Sequence, residues 1–184
     1  MTHPTRGSFG VLTLAFVGCA QTAAVPAATT GFVLRTSEAG HISIGPQGAI
    51  TGPEVQLTPT AGGYRGFAAS ANIDMRSEGE RIVGSTQSRV IDLHYRIEGG
   101  NTLVVTGLFA GKLGRMAASH AEIRSALGVC SYQLAATRSH YEGERACVYS
   151  TYPVSQSHRL KLPTEFAKLP VDRQAMVLAV LLSM

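Results

Sequence analysis

GSTQSRVIDLHYRIEGGNTLVVTG, running from Gly84 to Gly107, decides how the chain is read. On an extended strand successive side chains point to opposite faces. In this stretch Ile91, Leu93, Tyr95 and Ile97 alternate with Asp92, His94 and Arg96. One face is apolar and the other polar, the pattern of an antiparallel sheet with one solvated side. Glu98 to Asn101 supplies a reversal and Leu103 to Val105 a second apolar run, so the stretch reads as a hairpin.

The hairpin recurs on either side. GFAASANIDMRSEGERIVG, Gly66 to Gly84, follows the same scheme of polar lead-in, Ile-Asp-apolar-basic, Glu-Gly turn and closing glycine. Ile73, Asp74, Met75 and Arg76 precede Ile91, Asp92, Leu93 and His94 by eighteen residues (91 minus 73). A looser copy runs from Gly107 to Gly128, where KLGRMAA and EIRSALG flank a polar turn at Ser119 and His120, and Gly128 to Cys147 makes a last unit. Ahead of the copies, FVLRT, SEAG and HISI read as strand, turn and strand. The expected fold is mainly β: an antiparallel meander of short hairpins, barrel-like or strongly curved, with a C-terminal α-helix.

An apolar sheet face has to be covered, by closing into a barrel, folding into a sandwich or docking a helix. LPTEFAKLPVDRQAMVLAVLLSM, Leu162 to Met184, offers the helix. A short turn is expected after Pro163 and a longer helix over 170–182, with proline at its first position and Asp172 near the positive end of its dipole. Ala175 to Leu182 is apolar all round, which implies burial as a plug or lid, and the run is too short to span a bilayer. The alternative role is a docking element for a partner or an apolar ligand.

Composition agrees with a β-rich domain. Apolar residues make up 45% of the chain, which excludes disorder, and charged residues only 15%, against about a quarter in an average domain. With 184 residues, 31–184 is expected to form a single domain. The net charge of +4 arises from basic residues scattered between Arg6 and Arg173, so no nucleic-acid footprint emerges.

The N-terminus reads as a targeting segment. Arg6 precedes an apolar run from Phe9 to Val17, and small residues follow. The run ends in LAFVGCAQTA, where Val17, Gly18 and Cys19 resemble the lipobox of bacterial lipoprotein precursors, with Phe16 standing where the pattern has an aliphatic residue. The resemblance implies a signal peptide over 1–18, acylation of Cys19, and attachment to a membrane through lipid chains. Residues 19–30 then form a flexible tether. Ala20 after the cysteine implies, by resemblance to enterobacterial sorting, the periplasmic face of the outer membrane. Ordinary secretory cleavage after Ala27, giving a secreted or soluble periplasmic protein, is the rival reading.

With Cys19 set aside, Cys130 and Cys147 remain, and an even pair in an exported chain is most simply a disulfide. A reversal near Arg138 and Ser139 would place them opposite one another on a hairpin.

Reactive constellations are sparse. Histidines 41, 94, 120, 140 and 158 show no metal-ligand spacing, and no metal or cofactor is expected. HISIG at 41–45 lacks the first glycine of a serine elbow, and GLFAGKLG at 107–114 is one residue short of a phosphate loop and has Leu113 in its Ser/Thr place. Asp92 and His94 share a strand face, as an acid and base must to act together. Their counterparts in the preceding copy are Asp74 and Arg76, so the recurring feature is a charge pair. Asp74, Arg76, Asp92, His94 and Arg96 therefore form a candidate polar binding face, and no catalytic residue is assigned. The expected role is structural, or recognition of an envelope protein or glycan. The alternative is a carrier of a small apolar ligand, similar in plan to lipocalin-type carriers but without their motifs.

Overall fold

A computed structural model describes residues 33–35, 43–45, 48–52, 54–148, 153–162 and 166–184. The expected signal peptide, Cys19 and the tether over 19–30 lie outside the described residues. The strands are β1 (Val33–Arg35), β2 (Ser43–Ile44), β3 (Ile50–Gly52), β4 (Val55–Pro59), β5 (Gly63–Ala68), β6 (Ala71–Glu78) and β7 (Arg81–Thr86). They continue as β8 (Arg89–Glu98), β9 (Thr102–Phe109), β10 (Lys112–Ala118), β11 (Glu122–Leu127), β12 (Cys130–Ala136), β13 (Tyr141–Val148) and β14 (Pro153–Lys161). A 3-10 turn at Phe166–Lys168 leads to the helix α1, Val171–Leu181.

The strands form one antiparallel meander from β2 to β14, and β1 pairs with β14 at the far edge. Among the described residues the edges β1 and β2 are not paired with each other, so the sheet is not closed. The eighteen-residue repeat is one hairpin pitch: β6 begins at 71 and β8 at 89, and Asp74 and Asp92 occupy corresponding outward positions.

The sheet is strongly curled, and α1 is what it curls around. Arg173, in the first turn of α1, donates to the carbonyls of Thr60 and Gly63 at the start of β5, while Arg145 of β13 donates to the carbonyl of Met184 at 3.0 Å. A helix of eleven residues is about 16 Å long. β5 and β13 are eight strand spacings apart, about 38 Å in a flat sheet. One short helix reaches both only if the sheet wraps it. Every residue from Ala175 to Leu182 is at most 5% exposed, facing Ile73, Met75, Leu93, Val105, Ile123 and Leu134 among others. Burying each large apolar side chain contributes about 1.5–3 kcal/mol, which is why a helix with no polar stripe is stable there.

Glycines within strands permit the bending. A β-carbon on Gly66 (φ +155°) would lie 1.9 Å from the Gln56 carbonyl oxygen, and one on Gly107 (φ +134°) 2.2 Å from that of Asp92. Only glycine tolerates such an approach, and glycine kinks of this kind bend sheets.

Two expectations need correction. Ile97 does not join the core: it is 47% exposed, because it faces an opening at the end of the sheet that the helix leaves unfilled. The helix occupies Val171–Leu181 and not 170–182, since the ψ of 149° at Pro170 is extended and Leu182 serves as the C-cap.

The curled sheet has two unlike ends. The turns after β6, β8, β10 and β12 lie at the end where α1 begins, here called the entry end. The turns after β5, β7, β9 and β11 lie at the far end, toward which α1 points.

Candidate functional site: a cavity at the entry end

The helix does not fill the sheet at the entry end. A cavity of about 800 Å³ lies there, bounded by the turns after β8, β10 and β12, the residues following β14, the 3-10 turn and one side of α1. Its walls are apolar, from Leu103, Tyr141, Leu162, Phe166 and Leu178. Its rim carries His120, Arg138, His140 and Lys161, and no aspartate or glutamate is among the described lining residues. That arrangement suits a molecule with an apolar body and a negative charge.

Local hydrogen bonds hold the rim turns. Ser119 Oγ accepts from the backbone N–H groups of Ala121 and Glu122, both at 3.2 Å. Thr137 Oγ1 accepts from the His140 N–H at 3.2 Å and donates to the His140 carbonyl at 2.8 Å. These are side-chain-to-backbone turns of the kind Ser and Thr form readily. The Tyr141 hydroxyl donates to the Ser119 carbonyl at 2.8 Å, joining the two turns, and burial raises its pKa.

His140 is the most connected rim residue. Its Nδ1 lies 3.1 Å from both Thr137 Oγ1 and Ser139 Oγ, and its Nε2 lies 3.0 Å from Glu142 Oε2. The His140 hydrogen bond holds the Glu142 carboxyl below the usual carboxylate range, aided by the charges of His140 and Arg159. A serine, imidazole and carboxylate in series resemble the parts of a hydrolytic triad. Here all three lie within four residues, Ser139 and His140 in the turn and Glu142 at the start of β13, and two hydroxyls share a single ring nitrogen, which fits bracing of the turn better than activation of a nucleophile. Among the described residues, no group of three or more His, Cys, Asp or Glu is placed to hold a metal.

Asp74, Arg76, Asp92, His94 and Arg96 do share the outer face, on β6 and β8 with β7 between them. The pairing within that face differs from expectation. Asp92 is bound by Arg81 through both carboxylate oxygens at 2.6 and 2.7 Å, and Asp74 by Arg65 at 2.7 Å. Arg76 and Arg96 turn to Glu78 and Glu98 two residues along their own strands. Arg65 stands directly opposite Asp74, whereas Arg81 stands opposite His94 and reaches diagonally to Asp92, a span that a long side chain covers. The Arg81 hydrogen bond lowers the Asp92 pKa, as a stabilised carboxylate requires. The face is therefore largely self-neutralised.

No family model, curated protein or solved structure matches this chain.

Cys130 and Cys147 stand in direct register on β12 and β13, with sulfur atoms 2.11 Å apart. Beside them is a buried cluster remote from the cavity lining. Tyr132 and His158 meet edge to face at 5.3 Å, the Arg145 guanidinium lies 5.6 Å from the Tyr132 ring centre, and His158 is 3% exposed. His120, Arg138, His140 and Lys161 were not singled out in the sequence as ligands to anything. One signal exists for two of them: Asn101, His120 and Arg138 follow one another at 19 and 18 residues (120 minus 101, 138 minus 120), close to the hairpin pitch, so they fall on successive tips of one end.

Proposed function

We propose that this is an exported binding protein that holds a small amphipathic molecule with an anionic group in the entry-end cavity, and that Cys19 tethers it to an envelope membrane. The cavity carries the reading: about 800 Å³ is within the range of ligand pockets, and apolar walls with a few convergent polar groups are their usual lining. The self-neutralised outer face, in contrast, offers little unpaired charge to a glycan or protein.

The cavity reading is tested by calorimetric titration of the protein with dodecanoate and with uncharged dodecanol. Dodecanoate is expected to bind, with dodecanol weaker. Replacing Ala136, which lines the cavity, by Trp is expected to abolish binding, and Arg138→Gln with Lys161→Gln to weaken dodecanoate alone. Equal affinity for both ligands in all three proteins would sink the reading. Palmitate labelling of the protein against Cys19→Ser tests the tether separately, and absence of label in both would remove it.

A further inference from the structure

Eight large apolar side chains are exposed among the described residues, and six of them, Phe67, Val90, Leu113, Val129, Val148 and Val154, lie at the far end. Register places Val90 outward with Asp74 and Ser85, and Leu113 outward beside Leu108 and Asp92. The tips of that end are small or uncharged: Ala69-Ser70, Gln87-Ser88, Ala110-Gly111 and Gly128-Val129. Charge there is scarce and mainly basic. Arg89 stands beside the turn after β9, the Lys112 stem lies against Gly128, and Glu54, in the turn before β4, is the one acid at this end among the described residues. The ion pairs between described residues all lie mid-strand or toward the entry end.

We propose that the far end is a docking face for an anionic bilayer surface. Apolar side chains at the strand ends, with Arg89 and Lys112 among them, present along the rim of a curled sheet an arc that a plane can touch at several points at once. Such a surface gains from burying apolar groups at the headgroup boundary and from attraction of basic residues to anionic lipid. A second copy of the chain fits less well, because Arg89 and Lys112 would face their own like charges across a symmetric interface. The mid-strand outer face, with Arg65, Asp74, Arg81 and Asp92, is not a lipid-facing wall, so the contact is at the end and peripheral. The inference is independent of the cavity reading and of acylation at Cys19.

The chain contains no tryptophan, so a single introduced one reports its own surroundings. Leu113→Trp and, at the entry half, Arg124→Trp are made in the full chain carrying Cys19→Ser. Each is mixed with vesicles of phosphatidylethanolamine and phosphatidylglycerol containing brominated lipid. The Leu113→Trp emission is expected to shift to the blue and be quenched, while Arg124→Trp shows neither. Adding Arg89→Gln and Lys112→Gln is expected to weaken partitioning about thirtyfold, and raised salt to weaken it in the same direction. Circular dichroism checks folding, and Val129→Trp replaces Leu113→Trp if that variant does not fold. Three results would overturn the proposal: no quenching at the far end, equal quenching at both positions, or a concentration-dependent blue shift without vesicles, which would identify a second copy as the occupant.

Discussion

His158 shows how a single buried residue couples this fold to pH. It lies against Tyr132 and near Arg145, and its Nδ1 has no hydrogen-bond partner among the described residues. Burial lowers its pKa, and the Arg145 charge lowers it further. A base whose folded pKa is depressed is held neutral by folding, so as pH falls through about 6.5 the unfolded chain takes up the proton first. Stability is then full above that pH and declines below it until the folded pKa is reached. The melting temperature should fall between neutral pH and pH 5, and His158→Phe should flatten that fall. An unchanged slope in the variant would assign the pH dependence elsewhere. The histidine was visible in the sequence only as one without metal spacing. Its burial follows from alternation on β14, and its neighbours from register with β13 and β12, which a linear reading does not supply.

At the level of elements, the hairpin is the unit, and it was largely legible. Alternation through Ile91, Leu93 and Asp92 announced β8, and the eighteen-residue echo at Ile73 and Asp74 announced its copy, because hairpins of equal strand length repeat at a fixed pitch. Some tips were less legible. Ala69-Ser70 and Gln87-Ser88 adopt positive φ at both central positions, a two-residue turn geometry that usually draws Asn and Gly. Strand pairing on both sides imposes it here. The β12–β13 hairpin carries the cross-link, and its closing loop spans 17 residues. Reduction, or Cys130→Ser with Cys147→Ser, is expected to lower unfolding free energy by about 3 kcal/mol in the chain-entropy model, read by denaturant titration. No shift on reduction would mean the pair is not oxidised in the protein measured.

Over the whole molecule, α1 joins parts of the sheet that do not touch each other. Arg173 ties its start to β5 and Arg145 ties the chain end to β13, with apolar contacts to the strands between. Helix and sheet should therefore unfold together. Leu181→Ala, at a residue 1% exposed, is expected to destabilise the fold by about 2–5 kcal/mol while leaving a single transition by circular dichroism. Two separated transitions would show that the sheet stands without its helix.

The order of residues was enough to give the class of the fold, the order of the hairpins, the burial of the last helix and the pairing of Cys130 with Cys147 across a turn. These follow from periods of two and from spacings along the chain, which are local. Three-dimensional packing was needed to show that the sheet curls without closing, that the aspartates bind cross-strand arginines, that Ile97 is exposed and that the rim of His120, Arg138, His140 and Lys161 surrounds a cavity. Curvature decides each of these, because it sets which strands share a neighbourhood and how far the helix reaches. It sums small bends over fourteen strands, several at glycines pressed against a neighbouring carbonyl, and no single stretch of sequence carries that sum.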